Sequence, residues 1–140
     1  MHEGGCLCGA VRYKVKAEPV RASVCHCRHC QRRTGSAFGI GAYFKESDLE
    51  IQGNLKTYEY RSDESGRWLR TQFCPSCGTT VTWTAEALGG LRAIAGGSFD
   101  DPDWLKIDRH GWTRSKQKWF VCPGDVQVFE KSALQPPPRP

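Results

Sequence analysis

No stretch of this chain approaches the roughly 20 consecutive apolar residues that a membrane-spanning helix needs. Hydrophobic residues make up 39% of its 140 positions, and charge interrupts them throughout. There is no arginine-rich helix and no basic run. The net charge of +5 comes from scattered Lys and Arg. Nucleic acid is therefore not demanded as a partner, and a small anionic ligand suits the same charge. The opening Met1-His2-Glu3-Gly4-Gly5 lacks the basic segment and apolar core of an export signal. Nothing repeats except clusters of cysteine. These absences set the expectation of one cytoplasmic domain without membrane contact, its thiols kept reduced.

What the chain does have is cysteine. There are eight, and seven of them fall in three short clusters. Cys25-His26-Cys27-Arg28-His29-Cys30 holds three cysteines and two histidines. Cys6 and Cys8 precede it, Cys74 and Cys77 follow it, and Cys122 stands alone. Thiolates this close together read as ligands for a soft or borderline metal, with Zn²⁺ the default. Short-range pairs such as Cys6 and Cys8 make poor disulfides, because the Cα separation and Cβ directions are hard to satisfy.

The strand pattern places these clusters. Val11, Tyr13 and Val15 alternate with Arg12, Lys14 and Lys16, which predicts a half-buried strand. Val20 to Val24 predicts a second strand, delivering the chain to Cys25. Residues His26 to Thr34 predict a short helix or turn with Gly35 as its cap. Ser36 to Lys45, with Gly39 and Gly41, predicts a buried strand packed closely. Short strands follow at Leu49 to Gly53, Leu55 to Tyr60, Trp68 to Phe73, around Val81 and Trp83, and at Leu91 to Ala95, with Val126 to Phe129 weakly strand-like. His110 to Trp119 is polar apart from two tryptophans. Cys74-Pro75-Ser76-Cys77-Gly78, between two strands, reads as a zinc knuckle, giving strand–knuckle–strand as in a zinc ribbon. The expected domain spans residues 1–134, and the proline-rich end, residues 135–140, is expected to be extended or disordered.

Seven clustered cysteines divide as four plus three. A structural zinc takes four protein ligands, whereas a catalytic zinc takes three and keeps one position open. Cys6, Cys8, Cys74 and Cys77 make the closed set. Cys25, Cys27 and Cys30 make the open one. Its fourth ligand is undecided among His26, His29, Cys122, a water and an external thiol. Arg28, Arg32, Arg33 or Lys116 could offset the thiolate charge, and His110 could act as an acid–base group.

Three stretches carry a resemblance: Gly5-Cys6-Leu7-Cys8-Gly9-Ala10-Val11-Arg12-Tyr13, Cys25 through Ser36, and Phe73-Cys74-Pro75-Ser76-Cys77-Gly78. The chain resembles the glutathione-dependent formaldehyde-activating enzyme family, also called the centromere protein V-like family, over roughly residues 4–120. The resemblance implies a mostly β, Mss4-like fold that contains a zinc ribbon and short helical turns. It implies two zincs: a structural one on Cys6, Cys8, Cys74 and Cys77, and a catalytic one on Cys25, Cys27 and Cys30. The implied activity is that of a carbon–sulfur lyase, S-hydroxymethylglutathione synthase-like, joining glutathione and formaldehyde. His110, Ser115-Lys116 and Trp119 fit the family's later pattern loosely, with Gln117-Lys118 where a proline-containing spacer is common.

The expected function is therefore zinc-dependent chemistry on a thiol–aldehyde adduct, with Cys25, Cys27, Cys30 and His110 as the catalytic set and a small thiol such as glutathione as partner. One rival is a non-enzymatic zinc-stabilised module that binds protein or nucleic acid. Another is a structural domain whose second zinc site is closed by Cys122. Tryptophans 104, 112 and 119, if exposed, would serve a pocket or a homodimer interface.

Overall fold

A computed structural model of the chain describes residues 1–132. The expected tail at 135–140 and the boundary at 134 lie outside the described residues. The chain is mostly β, with a three-stranded sheet and an eight-stranded sheet.

The small sheet is built on the alternating stretch. β2 (Arg12–Val15) pairs antiparallel with β1 (His2–Gly5) on one side and β5 (Leu49–Gln52) on the other. Val11, Tyr13 and Val15 are fully or almost fully buried, while the intervening Arg12 and Lys14 face water and pair with Asp100 and Glu3. Period-two alternation thus leaves one wet face and one dry face.

The large sheet takes β3 (Arg21–Cys25), β4 (Gly39–Lys45), β6 (Lys56–Arg61), β7 (Trp68–Phe73), β8 (Thr80–Ala85), β9 (Leu91–Ala95), β10 (Arg109–Gly111) and β11 (Gln127–Val128), in the order β11-β10-β3-β4-β9-β8-β7-β6. Most neighbours are antiparallel, but β10 runs parallel to both β3 and β11. β10 was not predicted, since three residues in a polar stretch carry no periodic signal of their own. The strand exists because β3 offers a neighbour.

The two sheets meet in one core. Val11, Tyr13 and Val15 pack with Ala42 and Phe44 of β4, Val81 of β8, Ile94 of β9, and Phe99. A fully buried side chain of this kind contributes roughly 1.5–3 kcal/mol relative to exposure. The Tyr13 hydroxyl meets Ser98 Oγ at 2.8 Å, so its one polar atom is satisfied. Cys6 and Cys74 belong to this same core. On the large sheet, Gly41 is as closely packed as expected: a Cβ there would lie 2.8 Å from the Trp83 ring.

The segment after Cys25 is helical, as predicted. α1 spans Arg28–Thr34, and Gly35 caps it in the left-handed conformation (φ 67°) with its N–H donated to Gln31 O. Glycine adopts that conformation without the steric cost a Cβ would bring.

Candidate metal and thiol site

Two turns bring four sulfurs together. Gly9 N–H donates to Cys6 O at 3.2 Å, and Gly78 N–H donates to Cys74 O at 2.8 Å. Both glycines have positive φ, 82° and 79°, so each turn closes at a position that side chains avoid. Cys8 Sγ then lies 3.7 Å from Cys6 Sγ and 3.7 Å from Cys74 Sγ, and all four cysteine sulfurs fall within 4.8 Å of one another. Tetrahedral zinc with Zn–S bonds of about 2.3 Å would separate its sulfurs by about 3.8 Å. All eight cysteines are free thiols, and the donor set fits such a metal.

The backbone around the quartet serves its sulfurs. Val11 N–H donates to Cys6 Sγ at 3.2 Å. Thr79, which sequence reasoning missed, links the two turns: Oγ1 accepts Leu7 N–H at 3.1 Å and lies 3.2 Å from Cys77 Sγ. Hydrogen bonds from Thr79, side chain first and then backbone, hold the Cys77 thiol down to about 5.

Cys25, Cys27 and Cys30 form the second thiol group, again with all sulfurs within 4.8 Å. Cys25 ends β3, Cys27 is the N-cap of α1, and Cys30 lies in its first turn. Cys27 Sγ accepts the Cys30 N–H at 3.3 Å. Donation from the Cys25 thiol, then from Cys30, makes Cys27 the strongest acid of the three. Cys25 is held high by the same sharing, first with Cys27 and then with Cys30, and by burial. Among the described residues no His, Cys, Asp or Glu completes this trio as the quartet is completed.

A cleft of about 750 Å³ opens along α1, lined by chain neighbours of Cys27 and Cys30 but by none of the trio itself, and it is within the size range of small-molecule sites. α1 contributes Arg28, His29, Arg32 and Arg33 to it. The facing wall comes from Tyr58, Tyr60, Thr71 and Phe73 on β6 and β7, with Gly78 and Thr80 beyond. The pairing of Tyr58 with Thr71 puts those side chains on one face of the sheet. His29 stacks on Tyr60 with centroids 4.1 Å apart, and its buried Nε2 has no hydrogen-bond partner. Arg33 stacks over Trp83 at 4.5 Å, and the space left by Gly39 lies between it and Cys30. The Tyr60 phenol is raised by burial, then by Asp63, with Cys27 and Cys30 adding to the effect. Tyr60 and the trio therefore lie within electrostatic reach of each other. The tyrosines were not singled out from the sequence, because only the pairing of β6 with β7 turns them toward α1.

The other expected residues sit elsewhere. His110 is buried at 3% exposure and joins His26 and Cys122, not the cleft lining. His26 Nε2 and His110 Nδ1 are 2.9 Å apart. Of the candidates weighed as a fourth ligand for the trio, His26 and Cys122 are thus grouped away from it. Lys116 Nζ donates to Phe120 O at 2.5 Å, so its charge is spent on a carbonyl. Gln31, buried and also missed, clamps the bend: its Nε2 donates to His26 O at 2.8 Å and to Ser115 O at 3.0 Å. Trp119 is exposed, while Trp104 is partly buried and stacks on His2.

The family model for the glutathione-dependent formaldehyde-activating enzyme matches residues 1–115. A crystal structure of a Rhodobacter sphaeroides protein from a structural-genomics programme is similar, with a TM-score of 0.57 and 24% identity. The match covers 75% of this chain and 96% of that one, and at this identity it bears on the fold alone. Among the curated proteins none matches the chain.

Proposed function

Because the chain belongs to the glutathione-dependent formaldehyde-activating enzyme family, we propose that it is a zinc-dependent, carbon–sulfur lyase-like enzyme acting on a thiol–aldehyde adduct such as S-hydroxymethylglutathione. The observation that carries this reading is a trio of thiols on the bend and helix whose arginines line a cleft. In this proposal Cys6, Cys8, Cys74 and Cys77 hold a structural zinc, and Cys25, Cys27 and Cys30 hold a catalytic one. Zinc bound by three thiolates with one position open would supply an electrophilic centre that lowers the pKa of a thiol ligand.

The chain's own side chains supply the rest. Arg28, Arg32 and Arg33 would orient the carboxylates of an acidic thiol by charge-assisted hydrogen bonds. Tyr58 and Tyr60 would wall the bound molecule from the other side, which leaves its sulfur next to the trio. Holding sulfur and aldehyde in one cleft turns a bimolecular addition into a local one. In the forward direction a sulfur–carbon bond forms, and the proton lost by sulfur ends on the former carbonyl oxygen. The reverse direction breaks that bond and returns the proton. A water would move it; His110, hydrogen-bonded to His26 and outside the cleft lining, would need a water relay to do so.

The Mss4-like, zinc-ribbon description of the fold belongs to the same proposal, supported by the antiparallel pairing of β7 and β8 around the Cys74–Cys77 turn. So does a cytoplasmic location, which reduced thiols favour. Among the described residues no helix is long and apolar enough to cross a membrane.

Adduct formation from ¹³C-formaldehyde and glutathione, followed by NMR with and without protein, tests the reaction. The expected result is acceleration above the unaided rate that disappears in Cys27→Ser. If the wild-type protein leaves the rate unchanged yet still binds glutathione, the chain is a binding module instead. Metal analysis is the second check, since a content near one zinc per chain would sink the two-site assignment.

A further inference from the structure

One cluster of donors remains outside both thiol sites. His26 lies on the bend between Cys25 and Cys27. β10 runs parallel to β3, with His110 opposite Val24 and Gly111 opposite Cys25. His26 N–H donates to Gly111 O at 3.0 Å, and this pins the bend to β10. The result is an edge-to-edge, hydrogen-bonded pair of imidazoles, with ring centroids 5.1 Å apart and planes inclined by 23°. Cys122 approaches from the segment beyond Phe120. One ligand atom from each of His26, His110 and Cys122 lies within 4.8 Å of the others.

The chemistry around this cluster is unbalanced. His26 is fully buried, and Phe38 and Phe120 pack against its ring. The pair shares one hydrogen bond, and His26 Nδ1 has no partner. Neutral imidazoles offer lone pairs, and a cysteine beside them offers a thiolate. Together they are the donor types that borderline transition metals select.

We propose that His26, His110 and Cys122 form a third metal site, separate from the two thiol-only clusters, that takes a borderline divalent ion such as Zn²⁺. Tetrahedral zinc would set its nitrogen and sulfur ligands about 3.3–3.6 Å apart. The 2.9 Å between the imidazoles therefore has to open by a few tenths of an ångström as the metal replaces their hydrogen bond. Cys122 gives its proton to solvent as the metal–sulfur bond forms. Two neutral imidazoles and one thiolate leave a net charge of +1 on a divalent ion, which favours an anion or water as fourth ligand. Cys122 is partly exposed, so the ion has a route in. Filled, the site would tie the bend that carries Cys25 and Cys27 to β10 and to the segment around Cys122. The inference does not depend on the thiol chemistry proposed above. It does compete with a proton-carrying role for His110, since a metal-bound nitrogen cannot also pass a proton.

The test is a zinc titration of the metal-free, full-length protein against a competing chelator, beside Cys122→Ser and His110→Gln. The wild type should take three equivalents. Each variant should take two, with the third bound at least a hundredfold more weakly. Anomalous diffraction at the zinc edge of wild-type crystals, which does not rely on any variant folding, should show a peak among His26, His110 and Cys122. Saturation of the wild type at two equivalents, with anomalous peaks only at the thiol clusters, would overturn the site and leave the imidazoles as a hydrogen-bonded pair. Loss of zinc from the Cys25 trio with the third site still filled would count against the thiol reading and not against this one.

Discussion

Cys8 and Cys74 meet from positions 66 residues apart, whereas Cys25, Cys27 and Cys30 lie along a single bend. Half of the quartet is part of the core: Cys74 is fully buried, Cys6 nearly so, and both pack with Val11, Phe44 and Ile94, while Cys77 is half-buried and Cys8 exposed. The trio sits where β3 runs into α1, and the arginines of α1 line a cleft with tyrosines opposite. Every donor in the quartet faces another donor of the same set. The trio has three sulfurs, and its neighbours on α1 line space that a small molecule can fill. In the proposed reading, similar thiols serve two ends. A metal on the quartet closes a long loop between the sheets and adds folding energy. A metal on the trio fixes little that β3 and α1 do not already fix.

The sharpest way to break this comparison is to remove one sulfur from each cluster. Cys74→Ser should unfold the domain or lower its melting temperature by well over 10 °C. A lost structural ligand costs several kcal/mol, and each kcal/mol is worth about 3–6 °C in a chain of this length. Cys27→Ser should leave the melting temperature within a few degrees while abolishing acceleration of adduct formation. Thermal unfolding followed by circular dichroism, run beside the NMR assay, reads both effects. If Cys27→Ser unfolds the chain as readily as Cys74→Ser, the division into structural and chemical sites is wrong.

Arg33→Ala probes the cleft alone. A charge-assisted hydrogen bond of about 1.5–3 kcal/mol corresponds to roughly 10- to 150-fold in affinity. Glutathione should bind weaker by that factor, whereas a neutral thiol such as 2-mercaptoethanol should change by less than about threefold, because it has no carboxylate for the guanidinium to hold. Calorimetric titration with both thiols separates the cases. Equal losses for the two would mean that Arg33 acts through its stacking on Trp83 and not through its charge.

What the sequence made legible follows the same division. The trio could be read directly, because six consecutive residues determine it. The quartet could be read by counting donors, although its partners are distant. The half-buried β2 showed in strict alternation, and the end of α1 showed in Gly35. The cleft wall could not be read, since Tyr58 and Tyr60 gain their meaning only when β6 pairs with β7 and faces α1. The grouping of His26, His110 and Cys122 was hidden for a similar reason. It depends on a three-residue strand lying parallel to β3, and parallel neighbours leave no mark in local periodicity. Thr79 and Gln31 were missed because a hydroxyl or an amide announces nothing until the turn or bend it braces has formed.

A smaller effect should appear on the quartet side. Thr79→Val removes a hydroxyl that accepts Leu7 N–H and contacts Cys77 Sγ and puts a methyl in its place. Losing one such hydrogen bond costs about 1 kcal/mol, more if the Leu7 N–H stays unpaired, so the melting temperature should fall by roughly 3–8 °C. The Cys77 thiol, no longer held near 5 by the Thr79 side chain, should titrate higher in the metal-free protein, as thiol alkylation rates against pH would show. Glutathione binding at the cleft should not change. A shift there would mean that the two regions are coupled through the β7–β8 turn.

The smallest expected effect belongs to a side chain on the trio's side of the large sheet. Tyr43 of β4 is held up to about 12, mainly by burial, with its contact to Trp83 opposing the shift and the Cys25 and Cys30 thiols adding to it. Its hydroxyl accepts the Trp83 Nε1–H at 3.4 Å. A phenol raised in the fold keeps its proton after the unfolded chain has lost it, near pH 10. Its contribution is therefore complete below pH 10 and is lost as pH rises toward about 12. Tyr43→Phe removes that dependence and one long hydrogen bond. Below pH 10 the wild type should be the more stable of the two, by no more than about 1 kcal/mol. Above pH 10 that advantage should shrink and then reverse, because only the wild type must keep a buried phenol protonated. Urea unfolding of both proteins at pH 9, 10 and 11 measures the difference. A difference that does not move with pH would mean that Tyr43 reaches solvent.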